Sequence, residues 1–310
     1  MTYSRRCFQE GRGTVGRELR KPGFKGATKV SGDVVRGTPR STEAEALPST
    51  EAATSDAEPA EATGLRADGL FVSYGGVKAV TNVSLAVQPG QIVGLIGPNG
   101  AGKTSMIDAL SGFAPHTGSV TLGGGVLDGV GPAGRARLGL VRTWQSADLF
   151  RDLTLIDGLR VAASQTKVGG SGAWSSMKSR RERSQSDDAR LLQLLEMLGI
   201  DHLKDRWPDE LPLGQRKVAS VARALACNPK FILLDEPAAG LDPPETAEFA
   251  LRLRQVAHSG TGLLLVEHDM SLVMSVCSRV VVMSAGAVIA QGTPLEIQAD
   301  QRVLDAYLGA

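Results

Sequence analysis

The sequence predicts an α/β protein: a sheet of parallel strands covered by helices, with an added antiparallel β-subdomain and an inserted helical subdomain. Three observations carry this. First, apolar runs of strand length recur at 70–72, 83–87, 92–96, 231–234, 262–266 and 280–283. Second, helical periodicity at 104–110, 189–198, 216–226 and 246–256 separates several of them, and strands alternating with helices require a sheet with both faces covered. Third, the runs between 70 and 87 have no helix between them, whereas 146–226 is a mostly helical block set between strand-rich halves.

Bulk properties exclude several functions. The chain has 310 residues, 42% of them hydrophobic, enough for one large domain or two modest ones. A net charge of +1 gives no electrostatic basis for binding nucleic acid. Three cysteines, at 7, 227 and 277, form no pair at metal or redox spacing, which suits a reducing compartment; Cys227 and Cys277 lie among apolar neighbours and are expected in the core. No run of about 18 apolar residues is present to span a bilayer, and MTYSRRCFQE is not followed by the apolar segment of a secretory signal. Work at a membrane therefore needs other chains.

Residues 1–64 read as a disordered extension and 65–310 as the folded domain. The extension is basic and Gly-rich to residue 40, then runs STEAEALPSTEAATSDAEPAEAT, acidic and with little apolar content beyond alanine. It is either a basic tethering arm or, more plainly, an overlong start or dispensable tail. Residues 167–184 are rich in Gly, Ser and Arg, a surface loop or frayed helix in which Lys178, Arg180, Arg181 and Arg183 form a solvated face.

The apolar run Ile92-Val93-Gly94-Leu95-Ile96 leads into Gly97-Pro98-Asn99-Gly100-Ala101-Gly102-Lys103-Thr104, and a helical pattern opens at Thr104. This is a phosphate-binding loop in its strand–loop–helix setting. Glycines let backbone N–H groups turn inward around phosphate oxygens, the helix start adds partial positive charge, Lys103 can reach the outer phosphates, and the Thr104 hydroxyl can hold Mg²⁺. Ser105 completes the nucleotide-contacting set. The run Phe231-Ile232-Leu233-Leu234 ends in Asp235-Glu236, carboxylates on the ligand side of a parallel strand. Asp235 is placed to hold Mg²⁺, and Glu236 to polarise an attacking water as general base. The next apolar run, 262–266, is followed by Glu267-His268-Asp269; His268 can donate to a γ-phosphate, while His116, His202 and His258 are expected at the surface without a role.

In this order the motifs over about 67–310 resemble the ABC ATPase family, which implies a P-loop NTPase core. The resemblance implies that Tyr74 stacks on adenine and that Gln145, in Val141-Arg142-Thr143-Trp144-Gln145, senses Mg²⁺ and the attacking water and begins the segment facing the membrane partner. It places the signature, usually LSGGQ, at Leu211-Pro212-Leu213-Gly214-Gln215, assigns Asp242, in the loop after the acid pair, to coupling two subunits, and makes His268 the switch histidine. Pro212 replaces the signature serine and its phosphate-facing hydroxyl, which weakens that contact in principle, although Pro suits a helix start and Gly214 still offers its backbone. That signature, with Arg142-Thr143-Trp144-Gln145, Phe150-Arg151-Asp152-Leu153-Thr154 and the ending Ala306-Tyr307-Leu308-Gly309-Ala310, resembles the branched-chain amino-acid importer ATPases; urea and amide importers carry near-identical motifs.

The resemblance further implies an ATP hydrolase using ATP and Mg²⁺. It works at the cytoplasmic face of the plasma membrane with membrane-spanning permease subunits, a second ATPase subunit (identical or paralogous) and, indirectly, an extracytoplasmic binding protein, and it has no nucleic-acid partner. Phosphate loop and signature occur once each, so two chains would pair head to tail around ATP. A soluble non-transport ATPase, an exporter ATPase of similar subgroup and a non-hydrolysing nucleotide binder are the rival readings.

Overall fold

The inner strands of the central sheet are buried on two faces, and this decides the architecture. The structure, a computed structural model, describes residues 63–144, 149–165 and 177–308, the stretch 177–185 and residue 308 by backbone only. The expected extension falls almost wholly outside these residues, as do Cys7 and Gln145.

Strands β1 (Leu65–Tyr74) and β2 (Val77–Val87) form an antiparallel pair. β3 (Ile92–Ile96) leads through the glycine-rich loop to α1 (Lys103–Ser111). Then come β4 (Thr117–Leu122), β5 (Gly125–Val126), α2 (Pro132–Leu138) and β6 (Leu140–Arg142). The helical block holds α3 (Leu155–Gln165), α4 (Met177–Met197) and α5 (Leu213–Ala226). It is followed by β7 (Phe231–Asp235), α6 (Pro243–His258), β8 (Gly262–Val266), α7 (Met270–Val276), β9 (Arg279–Ser284), β10 (Ala287–Gly292), α8 (Pro294–Ala299) and α9 (Gln301–Leu308).

The strands build two sheets, ordered β2-β1-β4-β5 and β10-β9-β3-β8-β7-β6. The first is antiparallel throughout; the second is parallel except for the β9–β10 pair. Successive residues of the parallel strands enter opposite cores, as a period of two requires. Ile92, Ile96, Ile232, Leu234, Leu263 and Leu265 join α3, α5 and α6 on one face. Val93, Leu95, Leu233, Leu264 and Val266 join α1 and the antiparallel sheet on the other.

The six strand expectations hold, with longer limits at 70–72 and 83–87. Sequence periodicity misses the length of β1 because Gly69, at φ 56°, and the register shift between Ala67 and Leu70 break its alternation. It misses β4, β5, β6 and β10 because they are short or half exposed. Residues 177–184 belong to the helical backbone of α4. Two expectations need correction. The His116 imidazole is largely buried, 3.4 Å from Asp128 Oδ1, and Cys227, expected in the core, is only half buried, unlike Cys277.

One buried cation holds the helix behind the phosphate loop. Arg135, 1% exposed, donates to the carbonyls of Ala109 (2.8 Å) and Leu110 (2.7 Å) at the end of α1, and to Val130 (2.8 Å) and Leu127 (3.0 Å). Helix ends leave such carbonyls without partners, and a cation suits the negative end of the dipole. Arg135→Leu would strand the Leu110 and Val130 carbonyls, since those of Ala109 and Leu127 also accept from the N–H groups of Gly112 (3.1 Å) and Val130 (2.9 Å). It should cost about 3 kcal/mol or more, read from urea unfolding; a loss below about 1 kcal/mol would show that water or rearrangement replaces the guanidinium.

Candidate functional site

The parallel register brings three strand ends to one edge. β3 pairs with β8 (Leu95 opposite Val266) and β8 with β7 (Val266 opposite Asp235). The glycine loop, the acid pair and Glu267-His268 therefore emerge side by side, at the edge where open α/β sheets bind ligands.

The loop's shape depends on glycine. Gly97, Gly100 and Gly102 have φ of 150°, 80° and 98°. A Cβ on Gly97 would lie 2.1 Å from the Met283 carbonyl oxygen, and one on Gly102 2.2 Å from that of Ala79; Gly100 has nothing within 4 Å. The β9–β10 turn and β2 clasp the loop: Gly286 N–H donates to the Ala101 carbonyl (3.1 Å), and Thr81 N–H to the Gly286 carbonyl (2.7 Å). No side chain caps the start of α1, so its first N–H groups form an anion-binding end. Lys103 is buried; its Nζ donates to the carbonyls of Gly97 (2.7 Å) and Pro98 (3.1 Å). Burial pulls its pKa down, against the opposing pull of Glu236 and Asp235. Thr104 is exposed and Ser105 half buried, while Asn99 and Gly100 are exposed at the loop tip.

The acids are set by their neighbours. Asp235 is buried, and its Oδ2 accepts from Arg142 Nη2 at 2.9 Å. Arg142 also bonds Asp108 of α1 and lies 4.2 Å over the Trp144 ring, which meets Phe113 edge-on at 5.1 Å. Glu236 has a left-handed backbone, φ 45°, and its N–H donates to the Val266 carbonyl at 2.9 Å. Glu267 is 1% exposed and accepts from the N–H groups of Ala238 (2.8 Å) and His268 (3.1 Å). The His268 side chain is 62% exposed.

Comparison with known proteins agrees with this geometry. Residues 80–239 match the family described as ABC transporter, and residues 287–310 match the one described as branched-chain amino acid ATP-binding cassette transporter. The chain belongs to the ABC transporter family. It is 41% identical over 249 residues to the high-affinity branched-chain amino acid transport ATP-binding protein LivG of Salmonella typhimurium, covering 79% of this chain and 97% of LivG. It is 37% identical over 246 residues to the lipopolysaccharide export system ATP-binding protein LptB of Escherichia coli, covering 79% and 97%. Among solved structures, the ADP conformation of MJ1267, an ATP-binding cassette of an ABC transporter, superposes with a TM-score of 0.69 at 27% identity, covering 80% of this chain and 99% of that one.

In this ABC ATPase the structure brings Lys103, Asp235, Glu236 and His268 to one edge and leaves other expected site residues elsewhere. Tyr74 ends β1, 46% exposed, and enters no ring contact among the described residues. Leu211 is buried, and Gly214 and Gln215 are half buried where α5 begins. Among the described residues no hydrogen bond joins 211–215 to 97–105. Asp242 caps α6: its Oδ1 accepts from Glu245 N–H (2.8 Å), and Glu245 Oε2 accepts from Asp242 N–H (3.1 Å). Sequence reasoning gave no role to Arg142, Glu267 or Lys217. For Glu267 a signal was present: it is a carboxylate directly after an all-apolar strand, the same pattern that marks Asp235.

The glycine geometry predicts graded substitutions. Gly102→Ala collides with backbone and should abolish measurable ATP binding by calorimetry and lower the unfolding temperature. Gly100→Ala faces only the left-handed penalty of about 1–2 kcal/mol and should retain binding. Equal affinities for the two variants would remove the steric account of the loop.

Proposed function

We propose that the chain is the ATP-hydrolysing subunit of an importer for branched-chain amino acids, placed on the cytoplasmic face of the plasma membrane beneath separate permease subunits. The observation that supports it best is the single edge carrying the glycine loop with buried Lys103, the Asp235-Glu236 pair and His268. Among the described residues no helix is long and apolar enough to cross a membrane, so the channel belongs to other chains.

In this reading the backbone of residues 97–102 and the start of α1 hold the triphosphate of ATP, with Lys103, Thr104 and Ser105 against its outer phosphates and Tyr74 against adenine. Thr104, Asp235 and Gln145 would hold Mg²⁺. The donor set fits, since a small hard cation takes oxygen ligands and keeps several waters; when bound it neutralises charge on the transferring phosphoryl group. Glu236 takes the proton of the attacking water and His268 donates to the γ-phosphate. Leu211, Gly214, Gln215 and Asp242 serve a second subunit's nucleotide, because each half-site occurs once per chain. An extracytoplasmic binding protein delivers cargo to the permease, and nucleic acid is not a partner.

Import of branched-chain amino acids rests on the match at 287–310 and on the LivG relative. The export system of the LptB relative is the second reading. Co-purification from detergent-solubilised membranes separates them: an amino-acid permease supports import, and a lipopolysaccharide export partner overturns it. For the chemistry, Glu236→Gln should retain ATP binding and lose turnover roughly 10²- to 10⁴-fold, measured by phosphate release with the membrane partners present. Near-normal hydrolysis would take the general base away from Glu236.

A further inference from the structure

The end of β8 grips the turn that carries Glu236 from both sides. On one side the Val266 carbonyl accepts from Glu236 N–H at 2.9 Å. On the other, Glu267 Oε1 accepts from Ala238 N–H at 2.8 Å. The same carboxylate receives His268 N–H on Oε2 at 3.1 Å. Glu236 sits between the two grips in a left-handed conformation, which non-glycine residues keep only when their surroundings enforce it. Glu267 is 1% exposed. A charge so deeply buried costs stability unless donors or an opposite charge meet it; the N–H groups supply the donors, and His268 Nδ1 lies 3.7 Å from Glu267 Oε2.

We propose that Glu267 is a positioning residue that locks the Glu236 turn and His268 into one unit. This rests on the ATPase reading above. An ionised carboxylate suits the position because the backbone groups that meet it, the N–H groups of Ala238, His268 and Asp269, are all donors and a carboxylate is acceptor-only. A glutamine there keeps size and shape but turns an NH₂ toward an N–H group, so at least one of these bonds must open.

The test compares variants of the full-length chain purified with its membrane subunits, by steady-state ATP hydrolysis over a range of ATP concentrations. Glu267→Gln should lower kcat about 10- to 100-fold, the usual result of misplacing a reacting group by about 1 Å. The KM for ATP should stay within about 3-fold, because the phosphate loop is untouched. Glu267→Asp, which keeps the charge but draws it back by one methylene, should lower kcat less, with the KM again little changed. Wild-type kcat in Glu267→Gln, or a KM rise matching the loss of kcat, overturns the proposal. If Glu267→Gln does not fold, Glu267→Asp decides, and an unchanged kcat there overturns it. Failure of the ATPase reading looks different: wild type does not hydrolyse ATP, or Glu236→Gln is fully active. An inactive Glu236→Gln beside a normal Glu267→Gln sinks this inference alone.

Discussion

Burial of the parallel strands on both faces is the constraint from which the site follows. β3, β7 and β8 have no residue directed to solvent, so polar groups cannot sit along them. Chemistry is confined to the residues where each strand ends. Because the strands run parallel and are adjacent in the order β3-β8-β7, those ends share one edge, and motifs far apart in sequence become neighbours. The packing is close around the glycine inside β3. A Cβ on Gly94 would lie 3.1 Å from Cys277 Sγ and 3.2 Å from Val273 Cγ1, so α7 approaches the sheet at the strand that launches the phosphate loop.

At that edge charge is arranged in facing pairs. Arg142 meets Asp235 and Asp108. Lys103 lies in the field of Glu236 and Asp235, and Lys217 in that of Glu267 and Glu236. Buried ion pairs are a poor source of stability, since desolvation offsets most of their attraction, and the apolar cores on either side already supply cohesion. What the pairs provide is placement. Arg142 ties Asp235 of β7 to Asp108 of α1, so a shift of any of these elements is felt at Asp235. Glu267 is the extreme case: burial pushes its pKa up, while the Ala238 and His268 N–H groups pull it down.

Much of this was legible in the sequence because the information is local. The loop from Gly97 to Lys103 needs glycines at three positions of positive φ, and those glycines are visible as letters. β3, β7 and β8 are uninterrupted apolar runs with turns at both ends. The hubs were not legible. Arg135 and Arg142 look like ordinary basic residues beside β6; only the fold shows one capping α1 from 25 and 26 residues away and the other reaching Asp235 across 93. Short strands such as β5 carry too few residues to show a period. His116 misled because a lone polar residue after α1 says nothing about Asp128, which only the pairing of β4 brings near it.

The altered signature illustrates how one contact substitutes for another. Pro212 stands at the N-cap of α5 with no side-chain hydrogen bond, so the helix start lacks the hydroxyl that a serine would present. Leu213, next to it, packs so tightly on the loop after the acid pair that a Cβ on Gly240 would lie 3.0 Å from Leu213 Cδ2. Gly214 stands so close to Glu245 that its own Cβ would come within 2.8 Å of the carboxylate. Glu245 is also the partner in the Asp242 capping box. The tip of α5 thus meets the start of α6 through close side-chain approach, and with no side-chain hydrogen bond at its cap its first N–H groups stay free of side-chain competition.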